Sequence, residues 1–483
     1  MADKLRKYKA KRDFTDTPEP RGAQGVGAGE GRFVVQEHDA TNLHWDLRLE
    51  RDGVAVSWAL PRGIPTHPDR NHLAVHVEDH PLEYLAFEGE IPQGSYGAGT
   101  VTIWDSGTYT AEKFRADEVI ATFGGERLRG RYALFQTDGK SWMIHRMDPP
   151  ADPNEEPMPD QVEPMLAKLA KLPRDDSLYT FEVKWDGARV ICFCDGGHVK
   201  LQTRNLRDVT GEYPELRALG RALGSTRAIL DGEVVALDDD GKPSFGLLQR
   251  RMHVASESTA RRRAEETPAT YMVFDLLYLN GHSTMSLPYA ERRKLLEQLE
   301  LEGPSWRTPS SHAGDGQAML DASRQQDLEG VVAKRLDSTY EPGARTGAWL
   351  KIKNHREQEL VVGGWLPGQG RRGKTIGSLA LGYYEDRKRL VYAGNVGTGF
   401  SGEMLATLKR MLDSLATDES PFEGRQPPEQ TVFVRPQLVV EVEFSEWTRA
   451  GTLRHPSFKG LREDKNPQDV VLERVEEVVE HER

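Results

Sequence analysis

Residues 148–164 hold six prolines and six carboxylates but neither lysine nor arginine. A stretch so rich in proline and so uniformly charged cannot bury enough apolar surface to fold by itself. It therefore divides the chain into an N-terminal unit and a longer C-terminal part with separate cores. A second division falls near 354–358, where a short strand pattern ends in charge and a new apolar run starts at 359–365. At 483 residues the chain also exceeds what one core supports. The expected organisation is a unit over 1–150, a linker over 151–163, a second unit over 164–355 and a third over 356–483.

The units differ in texture. In the first, short β-rich runs at 32–37, 44–50, 55–60, 73–77, 100–104, 133–136 and 142–145 alternate with Gly, Pro and Asp turns, which predicts a β-barrel or sandwich. The second mixes strand patterns (181–184, 189–194, 229–237, 272–279, 330–334) with helical stretches such as 290–300, an α+β pattern. The third, with runs at 378–384, 389–395 and 437–444, again predicts a small β-barrel. No apolar run approaches the ~20 residues of a membrane helix, and the basic N-terminus lacks the apolar core of a secretory signal. Cys192 and Cys194 are too close for a disulfide and too few for a zinc site, so they read as thiols of a reducing cytoplasm. The net charge of −12 does not decide the partners, because six Lys/Arg cluster in residues 4–12 and a basic loop spans 368–374.

In Phe181-Glu182-Val183-Lys184-Trp185-Asp186-Gly187, period-two alternation predicts Phe181 and Val183 inside and Glu182 and Lys184 on the other face. A lysine fixed at a strand end is well placed to attack phosphorus. To do so it must lose its proton, which calls for neighbouring cations or a metal that depress its pKa below about 10.4. Lys-x-Asp-Gly alone is also a charged hairpin tip. Here it is followed in order by Arg204, by Asp231-Gly232-Glu233, by Phe274-Asp275, by Glu329-Gly330 with Lys334, and by Trp349-Leu350-Lys351-Ile352-Lys353. That set offers cations for phosphates, carboxylates for a divalent metal and an aromatic for a purine.

The first unit carries a second constellation. In 44–50, Trp45, Leu47 and Leu49 are predicted inward, so His44, Asp46, Arg48 and Glu50 share the other face, with His38 across a short turn. Two imidazoles and a carboxylate that converge suit a transition metal with open positions, and Arg48 beside them suits a phosphate.

The ordered series from Lys184 to Lys353 resembles the nucleotidyltransferase motifs of ATP-dependent DNA ligases. The segment 453–465, ending Arg462-Glu463-Asp464-Lys465, resembles the family's last motif, carried by an OB-fold domain. The resemblance implies Lys184 as the adenylated nucleophile, with Glu182 among the nucleotide-binding residues and Arg189 and Arg204 on the nucleotide and the DNA 5′-phosphate. It places Glu233 on the ribose and near the metal, and Phe274 on adenine. Glu329 would hold Mg²⁺, Lys351 and Lys353 the α-phosphate, and Arg462, Asp464 and Lys465 the pyrophosphate. The OB domain would then swing about 354–358 to bind nicked DNA.

Residues 11–20, 38–50, 77–84 and 88–97 resemble the 3′-phosphoesterase domain of bacterial ligase D, the repair ligase of nonhomologous end joining. This implies Mn²⁺ on His38, His44 and Asp46. Arg48, His80 and Tyr84 would surround the scissile phosphate, with support from Arg12, Asp13 and Glu19. Where that pattern leads one to expect a phosphate-binding arginine, the chain has His72, which predicts phosphate affinity only when the imidazole is protonated. No stretch is left for a polymerase domain, so that activity is expected from a separate protein. The implied whole is a monomeric cytoplasmic, nucleoid-associated bacterial enzyme that uses ATP, Mg²⁺ and Mn²⁺ on nicked or broken duplex DNA, with a Ku-like end-binding protein as recruiter. Two rival readings are an RNA-ligase-like or capping nucleotidyltransferase, and a first unit that binds DNA ends without catalysis. The fusion and the Arg462–Lys465 segment speak against the former, and the metal triad against the latter.

Overall fold

The computed structural model describes residues 4–22, 31–40, 42–150, 152–252, 254, 256–368, 375–462 and 465–473. In the N-terminal region the strands Arg32–Asp39, Leu43–Arg51, Val54–Leu60, His72–His76, Ser141–Arg146, Arg129–Asp138, Glu118–Gly124 and Gly99–Phe114 pair antiparallel in that order. Arg32–Asp39 also pairs with Gly99–Phe114, which closes the expected barrel. Phe33, Val35, Trp45, Leu47, Leu49 and Trp58 fill its interior. The outer face of Leu43–Arg51 is covered too. The helix Arg6–Ala10 and the 3-10 turn Leu82–Ala86 bring Tyr8 and Tyr84 over it, in a small cluster with Phe87, Ile91 and Val101. The polar residues of that face are thus roofed rather than left in bulk water.

The acidic proline-rich segment builds no core, but it is more than a spacer. Its carbonyls, left unpaired by extended backbone, accept hydrogen bonds from Lys200 Nζ (Asp160 O, 2.6 Å), Gln202 Nε2 (Val162 O, 2.7 Å) and Tyr278 Oη (Glu156 O, 2.8 Å). Val162 and Met158 pack with Ile191, Phe193, Phe274 and Trp349. The segment is strapped to the region that follows it.

That region contains two sheets. One orders Lys168–Leu169, Trp349–Lys353, Gly330–Arg335, Tyr179–Val183 and His312–Ala313. The other runs His198–Thr203, Ala188–Asp195, Ala228–Ala236, Ala269–Leu279, Trp306–Arg307 and Glu302–Gly303. Lys184 follows Tyr179–Val183 in the first sheet, and Ala188 opens a strand of the second, so the turn between them crosses from sheet to sheet. Gly187 is required there because a Cβ would lie 2.3 Å from Val234 O. Behind the second sheet the helix Tyr289–Glu297 docks Arg292 on Asp275 through two 2.8 Å bonds, with neither side chain exposed. Arg292→Ala leaves a buried carboxylate without its cation, so we expect a loss of about 3–5 kcal/mol in unfolding free energy. Urea denaturation measures it, and a change within error would show that Asp275 finds another partner.

The C-terminal region orders Phe422–Glu423, Arg389–Val396, Ile376–Glu385, Glu357–Pro367, Val432–Glu443 and Ser457–Leu461 into one strongly bent sheet of OB type. The helix Gly402–Ser414 seals one end. Its N-cap Ser401 Oγ accepts from Met404 N at 3.1 Å, and Leu408 and Leu412 are buried. This domain lies closed on the preceding region: Gln249 Nε2 donates to Leu461 O at 2.9 Å and the Arg462 guanidinium sits 5.0 Å from the Phe245 ring. The basic loop 369–374 and Asp464 lie outside the described residues.

Candidate active sites

One cleft between the two ligase-like regions is lined by Glu182, Lys184, Arg189, Arg204, Glu233, Phe274, Glu329, Lys351, Lys353, Arg462 and Lys465. All the described residues assigned to the nucleotide thus converge; Asp464 lies outside the described residues. Backbone anchoring is tight, with Lys184 N donating to Gly330 O at 3.0 Å. Val183 does not enter the core as alternation predicted. It is half-buried and lines the cleft, while Glu182 is buried, because a neighbouring helix covers the face expected to be open. Glu182 accepts from Tyr289 Oη and pairs with Lys334 at 2.8 Å.

Every phosphate-directed lysine here holds a carboxylate. Lys184 is paired with Glu329. Lys353 lies 3.2 Å from Glu329, 3.2 Å from Glu357 and 3.5 Å from Glu441. Lys351 meets Glu473 at 2.5 Å, and Lys465 meets Glu359 at 2.7 Å. The electrostatics follow. Burial works most strongly against the charge on Lys184 and Lys353 adds to it, but Glu329 and Glu441 together prevail, so its pKa lies above the ordinary lysine value. This corrects the expectation of a depressed nucleophile: its nearest partner is a carboxylate and not a cation. Lys351 is the depressed one, brought down to about 8 by burial, with Glu473 opposing. Asp186 is pushed up to about 7 by burial and by Glu329 and Glu441.

The acids that converge within 4.8 Å are Glu329, Glu357 and Glu441, an oxygen set suited to a hard divalent ion. Glu233, expected beside Glu329 at the metal, is not in that group; its strand register sets it opposite Arg189 instead. Arg189 is held by Asp231 through bonds of 2.5 and 2.6 Å, and Tyr340 Oη donates to Asp231 at 2.7 Å. The guanidinium lies 4.5 Å from the Phe274 ring, and Lys334 Nζ lies 4.1 Å from it. Sequence reasoning assigned no role to Asp231, Lys334, Glu359, Glu441 or Glu473. The first two stand inside quoted motifs and were within reach. The other three come from OB strands and the final segment, and no local pattern marks them.

The second site lies on the roofed face of the barrel. His38, His44 and Asp46 bring one ligand atom each within 4.8 Å of one another. His38 Nε2–H donates to Gly97 O and His44 Nδ1–H to Asn42 O, both at 2.9 Å. The remaining nitrogens, His38 Nδ1 and His44 Nε2, face Asp46 at 3.7 and 3.8 Å. Carbonyl acceptors that fix the tautomer and leave the other nitrogen's lone pair free are what a metal-binding imidazole needs, so these residues fit a transition-metal ion. Asp46 is buried, which alone would raise its pKa; Arg48 and the two histidines hold it well below the usual carboxylate range.

Arg48 donates to Asp46 (2.8 Å), Gln36 (2.6 Å) and Ser57 (3.0 Å). His80 donates from Nδ1 to Glu78 O at 2.8 Å and offers Nε2 to Arg12 Nη2 at 3.3 Å. Burial, with Arg48 and Arg12, drives its pKa well below that of free histidine. Glu19 gathers Arg12 Nε (2.7 Å), Tyr84 Oη (2.9 Å) and Thr17 Oγ1 (3.0 Å), and so positions Arg12 and Tyr84 together. Gln36 and Glu78 were missed, although Gln36 shares the parity of His38. Asp13 is not brought in; it is exposed and bonds Thr15. His72 is not brought in either. Asp46 is opposite Ala59 and Ala59 opposite Val75, so Val75 shares the site's face while His72, three residues back, points the other way with Ala74. Its Nδ1 bonds Gly63 O at 2.9 Å, and burial lowers its pKa. The expected stand-in for a phosphate-binding arginine is thereby removed.

Residues 36–136 match the DNA ligase D 3′-phosphoesterase domain, 164–353 the ATP-dependent DNA ligase domain, and 372–465 the ATP-dependent DNA ligase C-terminal region. The multifunctional non-homologous end joining protein LigD of Mycolicibacterium smegmatis is 45% identical over 489 residues, and the Mycobacterium tuberculosis protein 46% over 482. Both matches cover 98% of this chain, which spans 62% of the length of these curated relatives. A mycobacterial DNA ligase D structure complexed with ATP and MES is 43% identical, covering 64% of this chain and 98% of its own, with a TM-score of 0.49. By these sequence matches the chain belongs to the DNA ligase D family, and joins that family's 3′-phosphoesterase domain to its ATP-dependent ligase domain and C-terminal region.

Proposed function

We propose that this chain seals 3′-hydroxyl/5′-phosphate breaks in duplex DNA at the expense of ATP and trims damaged 3′ ends before sealing, in double-strand break repair by nonhomologous end joining. The observation that carries the ligase reading is the convergence of Lys184 with the OB-domain residues Arg462 and Lys465 on one cleft. Lys184 Nζ, once deprotonated, attacks the α-phosphorus of ATP. The N–P bond forms as the bond to pyrophosphate breaks, leaving AMP on the lysine. The DNA 5′-phosphate then takes AMP from Lys184, and the 3′-hydroxyl displaces AMP to close the strand. Lys351 and Lys353 neutralise the α-phosphate, Arg462 and Lys465 orient the leaving pyrophosphate, and Arg189, held by Asp231, bridges nucleotide and DNA. Glu329, with Glu357 and Glu441, would hold Mg²⁺, which supplies charge neutralisation at the phosphates. His38, His44 and Asp46 would hold Mn²⁺, which polarises the ester. Around that ester Arg48, His80 and Arg12 bind the phosphate and Tyr84 fixes its position. A Ku-like protein recruits the enzyme.

The test follows label from α-labelled ATP onto the protein and, after addition of nicked DNA, from protein to DNA. Label that reaches protein but passes only to RNA would favour the RNA-ligase reading. Lys465→Ala separates the two chemical stages. Self-adenylation should fall by about 100-fold, while sealing of a nick already carrying 5′-AMP should fall less than about threefold, because Lys465 acts on a leaving group absent from the later step. Equal losses in both assays would move Lys465 to the DNA.

A further inference from the structure

Tyr96 is half exposed, at 50% the most open of the large apolar side chains of the described residues and the one aromatic among them. It belongs to the run 88–97, which the roles assigned so far leave unused, and it stands beside the metal-type cluster. The next residue, Gly97, gives its carbonyl to His38 at 2.9 Å, and a Cβ at Gly97 would lie 3.7 Å from the His38 ring. Gly94 and Gly97, at φ +91° and +77°, bend the loop so that Tyr96 projects. Lys11 Nζ lies over the ring, 4.3 Å from its centroid. Lys11 Nζ donates to Tyr96 Oη at 2.9 Å and to Glu78 at 2.8 Å, and the Arg12 guanidinium is 5.6 Å from the ring centroid. An ordered ring flanked by two cations meets the needs of a single-nucleotide contact: a flat surface for a base and positive charge for its phosphate.

We propose that Tyr96 is the stacking platform for the base of the 3′-terminal nucleotide whose phosphate reaches His38, His44 and Asp46. The assignment rests on the phosphoesterase reading and extends it. Every base has a π-face, so the platform is indifferent to sequence and yet requires a base, as an enzyme that cleans arbitrary broken ends must be. Leu73, at 43% another exposed apolar residue among those described, shares the face of Val75.

The test uses the full chain with Mn²⁺ on two primer–template duplexes ending in a 3′-phosphate, one with a terminal thymidine and one with a terminal abasic tetrahydrofuran. The wild-type chain should prefer the thymidine end on the order of tenfold in kcat/KM, through KM. Tyr96→Ala should lose that preference by raising KM on the thymidine end, with kcat and Mn²⁺ binding unchanged; Tyr96→Phe should keep it. A Tyr96→Ala chain that still prefers the thymidine end overturns the platform. A Tyr96→Phe chain that behaves like Tyr96→Ala also overturns it, in favour of a hydroxyl strut for Lys11. If the wild-type chain releases phosphate from neither duplex, the phosphoesterase reading itself fails and the platform falls with it.

Discussion

Lys184→Ala is expected to lower protein-bound AMP by at least about a thousandfold, the order of loss when a covalent nucleophile is removed. The fold should survive, because Glu329 keeps Lys353 at 3.2 Å and Lys184 N still bonds Gly330 O. Circular dichroism and an unchanged unfolding midpoint establish that control. The variant should still close a nick that already carries 5′-AMP, since the final displacement uses the DNA's own hydroxyl. Covalent label retained on the alanine protein would place the nucleophile elsewhere, and Lys351, whose pKa is near 8, would be the first lysine to test.

Asp46→Ala should weaken Mn²⁺ binding by more than about 100-fold and abolish 3′-end trimming while leaving self-adenylation intact. The carboxylate is the anionic member of the ligand set, and without it only two imidazoles remain. Arg48→Ala should not be a clean loss of phosphate contact. Arg48 holds Asp46 at 2.8 Å, so its removal frees the ligand as well and should weaken Mn²⁺ about 10- to 100-fold. Titration followed by the electron paramagnetic resonance of free Mn²⁺ separates the two variants. Unaltered affinity in Asp46→Ala would move the metal away from this cluster.

What could be read from the sequence was local. Short strands between Gly and Pro turns implied the barrel, and parity within Leu43–Arg51 put His44, Asp46 and Arg48 on one face without any knowledge of the neighbours. The family resemblance misplaced His72, whose face depends on how a five-residue strand registers on Val54–Leu60, a relation that no run of adjacent residues contains. Parity failed for Glu182, whose face is buried by the helix Tyr289–Glu297 from more than a hundred positions away. The pairing of Lys351 with Glu473 and of Lys465 with Glu359 was likewise out of reach, since closure of the OB domain creates it. The proline-rich segment was legible as coreless. Its strapping was not, because it depends on side chains of the following sheet reaching its carbonyls.

The carboxylates that answer each lysine of the cleft have a consequence for discrimination among anions. The lining holds nine Lys/Arg against seven Asp/Glu, so before a nucleotide enters it is close to electroneutral. A cavity of bare lysines would draw in any polyanion at hand, a nucleic-acid backbone above all, with the steep salt dependence of such binding. A self-compensated cavity presents little net field at a distance and yields its cations only to a guest that displaces Glu329, Glu359 and Glu473 one by one. On the proposed function the DNA and the ATP carry the same phosphates, and internal counter-ions let one protein keep them apart.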